Sequence, residues 1–316
     1  MAPLNRRNFI RGTAASAAAF SVPGLIRAQA KSNRALRIVQ ISDVHLDTRE
    51  IAGKNFIRVL TDINAMKDKP DLIINTGDSV FRSDGMTFED AEKQWNLLAR
   101  LLKENNRIPI RSCIGNHDVW FGPDAKTDES YKTHKHYHKN WVLEVLALPD
   151  RYHSSEMNGW QFIALDSINL DEYSIDKGQF SWLEKELDRI PPKRPICIFS
   201  HVSILSVIPL MRGLKEEKLE DIRYPASRQH RDALQLKNLF YKHPNVKLCL
   251  SGHTHQIDQV NFIGVQYFTG GTVSGNWWGD HRDSVIFEEF PPAYTLIDLF
   301  ADGMVSYETI FYPFTT

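Results

Sequence analysis

Apolar positions along this chain follow two alternating periods. Short β-branched runs at residues 36–42, 72–76, 108–114, 196–200 and 246–251 predict buried strands, because apolar stretches of this length bounded by turn residues fit a sheet covered on both faces. Between them, residues 54–67, 87–104, 178–190 and 227–243 carry apolar side chains at helical spacing. Thr87 and Asp90 approximate a capping box, after which Trp95, Leu98 and Leu102 share one face. Pro191 and Pro192 end the third helix, since neither can donate a helical hydrogen bond. Residues 152–156 and 160–166, joined through Asn158-Gly159, predict a hairpin. Four further strand-like runs follow, at 260–263, 265–268, 294–299 and 304–310. Strand and helix in alternation predict a layered α/β domain. No Pro/Gly/Ser-rich linker divides it, so residues 31–316 are expected to form one domain, with 259–316 completing a second sheet.

Residues 1–30 break this pattern. Arg6-Arg7-Asn8-Phe9-Ile10 opens a small-residue and apolar stretch through residue 26, and Ala28-Gln29-Ala30 supplies an A-x-A cleavage site. The order of charge, apolar run and cleavage site is that of a signal peptide, and the paired arginines resemble the twin-arginine signal that bacterial export machinery recognises. Periplasmic or other exported localisation is therefore expected. No later apolar stretch is long enough for a transmembrane helix in the mature chain. Without Arg6, Arg7, Arg11 and Arg27 the 38 basic residues fall to 34 against 39 acidic ones, a net charge of −5. That balance argues against a nucleic-acid-binding module. Cys113, Cys197 and Cys249 each sit in an apolar run without disulfide spacing, and are expected as buried thiols.

The chemistry lies where the predicted strands end. The first runs into Asp43 and His45, the second into Gly77-Asp78, and the third into Gly115-Asn116-His117-Asp118. The fourth leads to His201, and the fifth to Gly252-His253-Thr254-His255. Sites in α/β sheets form beyond the carboxyl ends of strands, so five dispersed segments would converge. Carboxylate, imidazole and amide oxygen make a mixed O/N donor set suited to Fe, Mn, Zn or Co rather than Ca. Two such cations about 3.5–4 Å apart clamp an in-line phosphoryl displacement and supply hydroxide near neutral pH.

D-x-H, G-D, G-N-H-D, a lone His and G-H-x-H, in this order from Ile38 to His255, resemble the calcineurin-like metallophosphoesterase family. The resemblance implies two mixed β-sheets sandwiched between α-helices in four layers, with a dimetal site at their edge. It implies that Asp43, His45 and His255 bind one metal, that Asn116, His201 and His253 bind the other, and that Asp78 bridges them. It also implies in-line attack by a metal-activated hydroxide, with His117 assisting the leaving group and Asp118 orienting His117. Ser79-Val80-Phe81 lacks the tyrosine of the purple acid phosphatase branch. The motifs look most like bacterial cyclic-nucleotide and glycerophosphodiester phosphodiesterases. A small phosphodiester is the expected substrate, a phosphomonoester the alternative, and a non-catalytic exported metal- or ligand-binding protein a further one.

Two features stand outside that set. His134, His136 and His138 lie among Lys132, Lys135 and Lys139, whose charges oppose a cation, so a solvated basic face is expected. Trp277 and Trp278 could stack on a substrate ring or pack against a sheet. The long connections at 125–140 and 202–226 are expected to shape specificity.

Overall fold

The computed structural model describes residues 33–123, 129–169, 172–213, 226–275 and 290–313. The signal segment and Trp277 and Trp278 lie outside the described residues. The chain divides into two compact units, Met1–Arg34 and Ala35–Thr316, and only Asn33 and Arg34 of the first are described.

Strands and helices alternate through the second unit: β1 (Arg34–Ile41), α1 (Glu50–Ala65), β2 (Leu72–Asn75), α2 (Phe88–Asn105), β3 (Ile110–Ser112), α3 (Asn140–Val145), β4 (His153–Met157) and β5 (Trp160–Ala164). They continue as α4 (Lys177–Arg189), β6 (Ile196–Phe199), α5 (Ile208–Gly213), α6 (Ala233–Lys242), β7 (Val246–Ser251), β8 (Asp258–Phe262), β9 (Val265–Thr269), β10 (Ala293–Phe300) and β11 (Val305–Phe311). Thr87 caps α2 by accepting a hydrogen bond from the Asp90 amide, as its position before an apolar stripe predicts.

Two mixed sheets result, one in the order β11-β10-β1-β2-β3 and the other β4-β5-β6-β7-β9-β8. Period-two alternation decides what each face meets. Leu36 and Ile38 of β1, Leu72 and Ile74 of β2, and Cys113 face Trp160, Phe162, Cys197, Phe199, Leu248 and Leu250 of the other sheet. The opposite faces of the first sheet, including Val39, Ile41 and Ile73, pack on Phe56, Val59, Leu60 and Ile63 of α1 and on Trp95, Leu98 and Leu101 of α2. Ile163, Ile196, Ile198 and Cys249 pack on Leu183 and Leu187 of α4 and on Leu236, Leu239 and Phe240 of α6. Helix, sheet, sheet and helix thus stack around one inter-sheet layer and two outer ones. All three cysteines are free and buried.

Two expectations need correction. The segment 259–316 does not simply complete a second sheet. Strands β8 and β9 extend the six-stranded sheet, whereas β10 and β11 join the first sheet with β10 beside β1. The reason is visible in β10: Ile297 and Leu299 are apolar and enter the inter-sheet layer, while the Asp298 carboxylate receives two bonds from the Arg37 guanidinium of β1, both at 2.7 Å. A bidentate pair of this kind fixes register. The helix expected from 227 begins only at Ala233. Ahead of it, the amides of His230 and Arg231 donate to Ser203 and Tyr173 carbonyls, so they are spent on neighbouring loops rather than on a helical turn.

Candidate metal centre

β1, β2 and β3 run parallel, as do β6 and β7, and the residues beyond their carboxyl ends carry the polar side chains. The turns are unusual in their backbone. Asp43, His45, Asp78, His253 and His255 all have positive φ, between 44° and 70°. Left-handed backbone is uncommon for non-glycine residues and clusters where neighbouring structure enforces it. Here the enforcement is a set of cross-loop bonds: the Asp43 amide donates to Gly77 O at 3.0 Å, and the His45 amide to Asp78 O at 3.0 Å. Space matters as well. A Cβ on Gly252 would sit 2.4 Å from Asp43 Oδ2, and one on Gly115 would sit 2.1 Å from Asp78 Oδ1. Only glycine lets those two loops approach the carboxylates.

The side chains meet in two groups that share Asp78. His45 Nε2 lies 2.9 Å from His255 Nε2, and His255 Nε2 lies 3.3 Å from Asp43 Oδ1. Asp78 Oδ2 is 3.7 Å from His45 Nε2 and 3.2 Å from His201 Nε2, so it stands between the groups. His201 Nε2 is in turn 3.1 Å from Asn116 Oδ1 and 3.2 Å from His253 Nδ1. All seven residues named as ligands from the sequence are thus brought together.

The far nitrogens set the tautomers. His201 Nδ1 donates to Thr76 O at 2.8 Å and His253 Nε2 to Ser227 O at 2.8 Å, which turns each opposite nitrogen toward the shared space. Nitrogen and oxygen lone pairs converging within 4.8 Å, as in Asp43/His45/His255 and Asp78/His201/His253, are a donor set for cations. The residues therefore fit a pair of metal ions.

Electrostatics say the same. Burial drives His45 and His253 down to about 3, against the pull of Asp78 and Asp43, so both imidazoles are neutral and able to coordinate. Burial opposes charge on His201 too, but Asp78 and Asp43 outweigh it and raise the group to about 9. Burial would raise Asp43 and Asp78, yet the surrounding imidazoles hold both below the ordinary carboxylate range. Two ionised carboxylates packed this closely need compensating positive charge.

His117 stands beside the donors, its ring 5.0 Å from that of His45, and its backbone amide donates to Asp78 Oδ1 at 2.8 Å. The expected role of Asp118 is corrected here. Its carboxylate accepts the amides of Gly115, Asp78 and Ser79 at 2.9, 3.0 and 2.8 Å, and is spent on holding two ligand loops together. The group facing the imidazole is Asp84, whose Oδ1 lies 3.3 Å from His117 Nδ1. Burial lowers His117, but Asp78 and Asp84 prevail and raise it to about 8. The sequence signal for Asp84 was only an acid in a Ser-Asp-Gly turn six residues past Asp78. Tyr173 and Arg228 were missed as well. With Asp78, Asn116, His117 and His253 they line a small cleft of about 180 Å3.

The basic-face expectation holds at Lys132 and Lys135, which are exposed, but fails at His136 and Lys139. His136 is buried, stacked at 4.7 Å on Trp141 and 5.7 Å on Phe88, with Nε2 3.2 Å from Glu144. Lys139 is buried against Asp166 at 2.6 Å. An imidazole clustered with two aromatic rings that also stack on each other is packing.

Comparison with known proteins agrees with the geometry. A probable glycerophosphodiester phosphodiesterase of Arcobacter nitrofigilis is 23% identical over 229 residues, 70% of this chain and 72% of its own. A 3′,5′-cyclic-nucleotide phosphodiesterase of Nostoc sp. is 25% identical over 277 residues, 85% of this chain and 89% of its own. The crystal structure of a dimetal phosphatase from Danio rerio shares the fold with a TM-score of 0.57 at 13% identity, covering 89% of this chain and 100% of that one. The model of the calcineurin-like phosphoesterases matches residues 36–257, from the start of β1 to just past His255, and the chain therefore belongs to that family of phosphate-ester hydrolases.

Proposed function

We propose that this protein is a metal-dependent phosphodiesterase acting on a small substrate. The observation that carries the reading is the meeting of seven oxygen and nitrogen donors from five strand ends, with Asp78 between the two groups. Asp43, His45 and His255 would hold one cation, Asn116, His201 and His253 the other, and Asp78 both. Mixed imidazole and oxygen ligands suit Mn, Zn, Fe or Co. Such cations supply Lewis acidity and a nucleophile at neutral pH. His117, kept protonated near neutral pH and oriented by Asp84, donates its proton to the departing alkoxide. The two relatives whose names specify phosphodiesters support the diester over other phosphate esters.

The test is metal-depleted protein reloaded with Mn or Zn and assayed on bis(p-nitrophenyl) phosphate and p-nitrophenyl phosphate. Faster diester turnover is expected. Faster monoester turnover overturns the diester assignment, and no turnover with both positions filled favours a binding protein. We also propose export through the N-terminal arginine pair, which Arg6→Lys/Arg7→Lys with cell fractionation tests: retention of the variant in the cytoplasm is expected, and unchanged export refutes it.

A further inference from the structure

The cleft has two unlike walls. One is His117 with Asp84. The other is formed by Tyr173 and Arg228, from loops that no motif marked, which line the cleft with Asp78, Asn116 and His253. Both are anchored to the candidate centre. The Tyr173 ring meets the His253 ring edge-on at 4.9 Å, and its carbonyl accepts the Arg231 amide at 2.9 Å. Arg228 follows Ser227, whose carbonyl fixes His253 Nε2 at 2.8 Å. A tyrosine hydroxyl keeps its proton at pH 8 and can donate to an anion.

From this wall we infer a specificity device, resting on the phosphoesterase reading: Tyr173 and Arg228 donate to the non-bridging oxygens of the substrate phosphate, and they admit dianionic phosphate to a site that otherwise favours monoanionic diesters. The physical reason is that attraction to a guanidinium scales with ligand charge. A phosphomonoester above pH 7 carries twice the charge of a diester, and a planar guanidinium can meet two of its oxygens at once. The choice between ester classes then sits with this pair rather than with the metal ligands, which face the same way for both.

Binding separates this inference from the catalytic one. Metal-loaded wild type and Arg228→Gln are titrated calorimetrically at pH 8 with inorganic phosphate, a dianion, and with dimethyl phosphate, a monoanion. Arg228→Gln is expected to weaken phosphate about tenfold, the lower end for one charge-assisted hydrogen bond, and dimethyl phosphate less than threefold. Arg228→Lys, which keeps the charge but loses the planar fork, is expected to recover only part of the phosphate affinity, and Tyr173→Phe to weaken phosphate by severalfold. Equal loss for both ligands, or no loss for either, overturns the inference. Metal content equal to wild type in each variant confirms that the centre is intact. An unfolded Arg228→Gln leaves the decision to Tyr173→Phe, where an unchanged phosphate affinity overturns the inference. Turnover plays no part in these readings, so a protein that binds phosphate through Arg228 yet hydrolyses neither test ester would sink the catalytic proposal alone.

Discussion

Histidines gather in two regions of this molecule, and only one gathering is built for cations. His45, His201, His253 and His255 stand beyond strand ends, each at a left-handed or carbonyl-tethered position that turns a ring nitrogen inward. His134, His136 and His138 alternate in sequence just as His253 and His255 do, but His136 lies parallel to the rings of both Phe88 and Trp141. Spacing is the same. What differs is the set of partners: several carboxylates and an amide oxygen converging in the first case, aromatic faces and the single Glu144 carboxylate in the second. A histidine's neighbours, rather than its interval, decide whether it coordinates.

Substitutions sharpen this contrast, and the largest effect is expected at Asp78. Asp78→Asn should empty both metal positions by elemental analysis and lower turnover by at least about a thousandfold, because the shared ligand and the charge go together. Full retention of two metals would rule out bridging. His117→Ala should keep both metals and lose about 10²–10⁴ in turnover, the range for general-acid help. Asp84→Asn should give a smaller loss, about 10–100-fold, as expected for a partner that orients the reacting group. An Asp118→Asn loss of turnover with metals and thermal stability intact would instead return the orienting role to Asp118.

Acidity gives a milder handle. His201, raised to about 9 without metal, contributes stability to the metal-free fold below its unfolded value near 6.5, and that contribution is lost as pH rises through 9. A cation must displace this proton. Metal affinity should therefore fall about tenfold per unit as pH drops from 8 to 7, with one proton released per uptake event. Titration calorimetry in buffers of different ionisation enthalpy measures the release, and pH-independent affinity would contradict the assignment of His201 as a ligand. The smallest effect on chemistry belongs to the other histidine cluster. His136→Ala should cost about 1–3 kcal/mol of stability from two lost stacking contacts, leaving metal content and turnover at wild-type levels.

Most of the fold was legible because burial imposes its own period. Continuous apolar runs at β1, β2, β6 and β7 and the helical stripes of α1, α2 and α4 appear within a few residues of their predicted places. The convergence of the seven expected donors was legible for a related reason, since each follows a strand that can point only one way. Asp84, Tyr173 and Arg228 were not. They lie on irregular loops, where no period operates and where tertiary hydrogen bonds such as Arg231 N to Tyr173 O decide position. Asp118 was misassigned because adjacency to His117 in sequence suggested adjacency of side chains. The 3-10 turn at Asn116–Asp118 separates them, aiming one into the cleft and the other back at the Gly115, Asp78 and Ser79 amides. The destination of β10 was also hidden, for nothing local tells a strand which sheet has room.

That last strand has a consequence for how the molecule is made. β10 leaves the ribosome long after its neighbour β1. Until residue 300 emerges, β1 has an unpaired edge beside the turn that bears Asp43. The first sheet therefore cannot close during synthesis until β10 arrives, and the open apolar edge is a site for mispairing in the interval.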